Sequence, residues 1–246
     1  MYLNLYIYQN LNSDAQSLYR MLRDIEGCIG IRTTKLSYLY MLSPDKADHP
    51  GDFKSRSISA KHLEEGINFG EISSFYMGTS SSLEDETGYF SYVNDKAYGG
   101  TSNISLHIPK DYVGRIDECL NNLVMNSCAT YAFQIETETA LQGVKYILGS
   151  TRYKNEKNNF GTYLIYEDVI KQPRMIYPVN YFTRNQLEFV SNGISLIDFI
   201  KETCGDNSLE KLGSALFMLR IPSEIIISIN NQFGRAGFLI SWTEVV

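Results

Sequence analysis

The sequence predicts an α+β fold: mostly antiparallel sheet with helices packed on one side, and two similar α/β halves as an allowed arrangement. Three observations point there. The chain opens on strict alternation, "YLNLYIY", and follows it with a helical stripe. A central stretch alternates through Ser- and Gly-rich turns, as a β-meander does. And a strand–Pro–helix pattern occurs twice, in "NISLHIPKDYVGRIDECLNNL" and "LFMLRIPSEIIISINNQF". At 246 residues the chain divides into expected halves at 1–140 and 141–246, which can also form one compact domain. Hydrophobic content of 43% and charged content of 20% are enough to bury a core.

The elements follow in order. Leu3, Leu5 and Ile7 share one face of a first strand, and Tyr2, Asn4, Tyr6 and Tyr8 the other. Ser13 and Gln16 have capping-box spacing; Leu18, Leu22 and Ile25 make a helical stripe, with Gly27 as the expected stop. "CIGIRTTKLSYLYML" returns to strand. Residues 43–59, with Pro44, Pro50 and many charges, read as loop, and "AKHLEEGINFG" as a short helix. The meander spans Ile72–Ile108.

Both Ile-Pro corners have a local explanation. Proline has no N–H for a sheet ladder, so a strand ends there; the fixed φ suits a first helical turn. Asp111 and Glu224 then favour the positive helix end. Val113, Ile116, Leu120, Leu123 and Val124 recur at helical spacing after the first corner, and Ile226, Ile229 and Phe233 after the second. Helix-start physics accounts for both, with duplication kept as an alternative. Tyr131, Phe133 and Ile135 mark a strand between them. "RYKNEKNN" reads as a polar connection, residues 185–213 as mainly helical with stops at Gly193, Gly205 and Gly213, and "GFLISW" as a closing strand.

Formal net charge is −6, from 22 basic and 28 acidic residues. That balance disfavours broad nucleic-acid or anionic-membrane binding and favours a basic partner. No apolar run reaches the roughly 20 residues a membrane-crossing helix needs, and the N-terminal stretch reads as a mature, cytoplasmic start. Cys28, Cys119, Cys128 and Cys204 fit no zinc knuckle or Cys-x-x-Cys pair, and are expected as reduced, partly buried thiols.

Motifs of chemistry are missing. His49, His62 and His107 share no metal-binding spacing and read as surface residues. No nucleophile elbow, phosphate loop or dinucleotide fingerprint occurs, so neither cofactor nor metal is expected. Two features remain. "LEDETG" carries Glu84, Asp85 and Glu86, too tightly spaced to converge on one cation; they read as a charged turn or as a contact surface for a basic protein. The chain also has 18 tyrosines, of which Tyr76, Tyr89, Tyr92 and Tyr98 cluster in the meander. Tyrosine offers rigid amphipathic area that suits interfaces, and also packs along strands. The candidate partner-binding residues are therefore Glu84, Asp85, Glu86, Tyr89, Tyr92, Asp95 and Tyr98; no catalytic residue is assigned.

"GYFSYVNDKAYGGTSNISLHIP", followed by "FGTYLIYED" and "RMIYPVNYF", resembles bacterial immunity proteins of polymorphic and type VI secretion toxin systems, nearest to the family called immunity protein 52. The resemblance spans residues 70–190 through short, degenerate motifs. It implies a small, non-catalytic cytoplasmic or periplasmic protein that binds a cognate toxin and occludes its active site. The alternatives are an enzyme with a Cys- or His-dependent site outside known motifs, and a regulatory protein-binding subunit. Oligomeric state is left open.

Overall fold

The computed structural model describes residues 1–9, 14–41, 53–80, 88–94, 102–111, 117–147, 150–157 and 171–244. The architecture is α+β and falls into two compact units: Met1–Cys128 with Glu136–Gly143, and Ala129–Ile135 with Val144–Val246.

The first unit contains β1 (Tyr2–Gln9), α1 (Ala15–Ile29), β2 (Lys35–Met41), β3 (Phe53–Ser57), α2 (Ala60–Asn68), β4 (Phe75–Gly78), β5 (Tyr89–Val93), β6 (Ser102–Pro109) and α3 (Asp117–Asn126). Its strands run in the order β1-β6-β5-β4-β2-β3, each pair antiparallel. The register separates two faces. Leu5, Leu106, Phe90 and Met77 face one way, as do Ile7, Ile104, Tyr92 and Phe75. On that side α1 packs through Leu18 and Leu22, and Tyr19 meets Phe75 edge-on at 5.7 Å. Both α2 and α3 contact α1.

Three expectations change here. The N-cap of α1 is Asp14, whose carboxylate accepts from the Gln16 and Ser17 amides. The helix runs past Gly27 to a left-handed Gly30 (φ +70°), because buried Ile29 extends the apolar stripe by a turn. Within the presumed loop, β3 pairs with β2 as an exposed edge carrying Lys54 and Arg56, charges that blunt an edge.

The second unit takes residues from β7 (Tyr131–Thr137) and α4 (Ala140–Ile147), then β8 (Val179–Thr183), α5 (Arg184–Leu187), β9 (Val190–Ser191), β10 (Ile194–Ser195), α6 (Leu196–Cys204), β11 (Leu209–Leu212), β12 (Leu216–Arg220) and α7 (Ile226–Arg235). Its sheet order is β11-β12-β8-β7, antiparallel throughout. Ile176, Phe182, Leu196, Leu219, Ile226 and Phe233 belong to its core.

The stretch expected as mainly helical is mixed. Asn192 (φ +50°) and Gly193 (φ +83°) turn β9 into β10, the Asn-Gly pair that suits a two-residue hairpin. "GFLISW" forms no strand beyond a single bridge from Trp242 to Glu156. Its Ile240 and Ser241 amides bond to Pro173 and Arg174 carbonyls, and Pro173 has no N–H to return. Both corner prolines end or follow strands as expected. After the second, α7 begins only at Ile226, four residues past Pro222; Val113 and Ile116, expected in the helix after the first corner, lie outside the described residues.

Candidate functional site

The second face of the first unit's sheet concentrates polar and aromatic side chains. Across the register, Tyr76 and Ser91, Tyr89 and His107, then His107 and Asn4, lie opposite one another. Tyr76 and Tyr89 stack at 5.8 Å; Tyr89 lies 5.4 Å from the His107 ring, and Tyr6 meets His107 edge-on at 5.8 Å. Exposure falls along this row. Tyr76 and Tyr89 are half-buried, while His107, Asn4 and Tyr6 are fully buried.

What covers the buried end is Glu136–Gly143. Tyr6 Oη donates to the Gly143 carbonyl at 2.7 Å. A Cβ at Gly143 would stand 2.6 Å from His107 Nδ1, so this backbone can approach only as glycine. The polar groups are wired in sequence. His107 Nδ1–H donates to Asn4 Oδ1 at 2.6 Å, Asn4 Nδ2 to Thr137 Oγ1 at 2.9 Å, and Thr137 Oγ1 to the Thr139 carbonyl at 2.7 Å. Because Thr137 spends its proton on that carbonyl, Asn4 must donate to it and so offers its oxygen to His107. The chain fixes one neutral tautomer. Burial pushes the His107 pKa down to about 3. Nε2 has no hydrogen-bond partner among the described residues.

This corrects the expectation of a surface histidine: a polar residue between Leu106 and Ile108 reads as solvent-facing, but the covering segment, Glu136–Gly143, begins 29 positions further along the sequence. The second described histidine, His62, sits on α2 with Nδ1 3.0 Å from the capping Ser59 hydroxyl. His49 lies outside the described residues.

The proposed contact residues fall in different places. Tyr89 is half-buried on the polar face, beside His107. Tyr92 points the other way: fully buried against Phe75 at 5.9 Å, with its hydroxyl pKa pushed up to about 12 by burial. Glu84, Asp85, Glu86, Asp95 and Tyr98 lie outside the described residues. The strands that flank them set the geometry of their attachment. The chain leaves β4 at Gly78 and enters β5 at Tyr89; it leaves β5 at Val93 and enters β6 at Ser102. Gly78 and Tyr89 are paired at one end of β5, and Val93 is at the other, roughly 15 Å away at about 3.3 Å per residue.

In the second unit, sequence reasoning missed a buried ionic cluster. Glu156, from the stretch read as a free polar connection, pairs with Arg174; the two side chains are 0% and 1% exposed. The Arg174 guanidinium lies over the Tyr146 ring at 4.7 Å, and Glu156 also accepts from Tyr146 Oη at 3.3 Å and the Tyr153 amide at 3.0 Å. Tyr177 continues the cluster, sharing a 2.7 Å bond with Tyr146 and stacking on Phe133 at 3.9 Å. Burial raises the pKa of Tyr146 and of Tyr177, so neither hydroxyl ionises near neutrality. Every member faces another member of the same cluster, an arrangement that braces a core.

The cysteines depart from expectation in exposure: Cys28 and Cys128 are exposed, Cys119 and Cys204 half-buried. Among the described residues no group of three or more His, Cys, Asp and Glu is placed to hold a metal, and no helix is long and apolar enough to cross a membrane.

No family model and no curated protein matches the chain. Its fold is similar to that of the solved structure of Pseudomonas aeruginosa T6SS protein PA0821. The TM-score is 0.60 at 11% identity, over 96% of this chain and 73% of that one. The likeness extends through both units and concerns the fold.

Proposed function

We propose that this chain is a non-catalytic immunity protein that binds a cognate bacterial toxin and blocks its active site. The observation that carries the reading is the fold shared, over 96% of the chain, with a protein of a type VI secretion system. The sequence resemblance to immunity proteins points to the same kind of system independently. Acidic charge supports a basic toxin as partner, with no nucleic acid, membrane or cofactor involved and the cytoplasm as the working compartment.

The contact surface is centred on the Tyr89 end of β5. Glu84, Asp85 and Glu86 steer the toxin, and half-buried Tyr89 offers ring area. Asp95 and Tyr98 contribute to the contact, while Tyr92 holds the strand from beneath through the core. The enzyme reading gains nothing from His107, whose ring meets Asn4, Tyr6 and Tyr89 rather than a thiol.

The test has two steps. Tagged protein captures partners from its native bacterium at low and high salt, and each stoichiometric partner is then expressed in a heterologous bacterium with and without this chain. Growth arrest relieved by the chain supports the proposal. A partner whose toxicity is unaffected, or a set of partners with no toxicity, sinks it in favour of a regulatory subunit.

A further inference from the structure

Cys28 near the end of α1 and Cys119 near the start of α3 are 91 positions apart, yet their sulfurs lie 2.9 Å from each other. A bonded S–S length is about 2.05 Å, so the two sulfurs stand within about 1 Å of bonding distance. Cys28 is exposed. Cys119 lines a surface groove of about 440 Å³ between the two helices, with Met21, Asp24, Ile25, Asn122 and Leu123. Both sulfurs are thus within reach of a small reagent and of each other. We propose that Cys28 and Cys119 form an intramolecular disulfide that ties α1 to α3 when the protein meets an external disulfide.

The exchange balances without any further reactant. Cys28, as thiolate, attacks one sulfur of the incoming disulfide, breaks that S–S bond and expels the first thiol. Cys119 then loses its proton to solvent and attacks Cys28 Sγ, breaking the mixed disulfide and expelling the second thiol. Two protein thiols are oxidised and one external disulfide is reduced. The order follows from the surroundings. Cys119 holds its proton tightly, its pKa pushed up to about 11 by the bond to Cys28, then by burial and the nearby charges of Glu118 and Asp24. Cys28, the more exposed sulfur, therefore meets the reagent first, and Cys119 resolves once the bond to Cys28 that raises its pKa is gone.

The consequence is a dependence on compartment. In reducing surroundings no Cys28–Cys119 bond joins α1 to α3. In oxidising ones a closed loop of roughly 90 residues stabilises the first unit, by an amount that corresponds to a Tm rise of about 5 °C or more. This rests on no part of the toxin reading.

The test equilibrates the full chain in glutathione redox buffers, blocks free thiols, and maps linkages by mass spectrometry without reduction. The expected product is a monomer with a Cys28–Cys119 linked peptide and a mass lower by two hydrogens. Its Tm rises, and dithiothreitol reverses the rise. A variant with Cys128→Ser and Cys204→Ser should behave identically, while Cys28→Ser should show neither link nor shift. Glutathione retained on Cys28 beside a free Cys119, linkage between chains, or a linked form no more stable than the reduced one would each overturn the proposal.

Discussion

At the residue scale, His107 is a neutral imidazole that the fold cannot readily charge. Its Nδ1–H is committed to Asn4, and Gly143 closes over the same ring. The sign of the pH effect follows. The unfolded chain takes up a proton near pH 6.5, the folded chain only near 3, so the stability this histidine contributes is complete above 6.5 and is lost as pH falls toward about 3. The loss should approach roughly 1.4 kcal/mol per pH unit across that interval. Urea unfolding of wild type and His107→Asn between pH 7.5 and 4 separates this from the carboxylates: the variant starts less stable and should show the shallower pH slope. Parallel slopes would mean that His107 charges in the folded state. None of this was legible from "SLHIP", where alternation gives a face but not what lies over it. Glu156 is the sharper case. In "RYKNEKNN" it looks like one more solvated charge, and only the arrival of Arg174, eighteen residues on, gives it a reason to be buried.

Elements were more legible than residues, since period and end signals are local. The first strand, the α1 stripe, α2 after Ser59, the meander and the buried face of α7 are all where the alternation and spacing put them. Boundaries shifted where a signal was ambiguous. Gly27 looks like a stop but sits inside α1, with open space where a Cβ would go. Gly143 looks equally plain in α4, yet a Cβ there would press on Asn4 and His107. Identical chemistry should therefore have opposite outcomes. Gly27→Ala should gain about 0.5–1 kcal/mol from helix propensity and lost unfolded-state freedom. Gly143→Ala should lose about 2 kcal/mol, because overpacking against a bonded pair exceeds that gain. Chemical denaturation of the two variants side by side decides the matter. A stabilised Gly143→Ala would show that the covering segment has room to move.

For the whole molecule, the α+β class and the antiparallel sheets were readable because many short alternating segments with turn residues between them leave few other architectures. Strand order was not, since pairings such as β1 with β6 join segments about a hundred residues apart and no local signal encodes them. Charge is also a property of the whole chain, and it makes the last prediction. A net charge of −6 attracts a basic partner at a distance, before any ring or hydroxyl touches it. Changing Glu84, Asp85 and Glu86 together to Ala halves that charge and removes its densest cluster. The association rate with the captured toxin should then fall about tenfold at low salt, with little change in dissociation. As salt shortens the screening length from about 10 Å at 0.1 M to about 3 Å at 1 M, wild type and variant should converge. Stopped-flow association at both ionic strengths reads this directly. If the variant associates as fast as wild type at low salt, the acidic turn is no part of the approach, and the contact must be carried by Tyr89 and its polar face without electrostatic help.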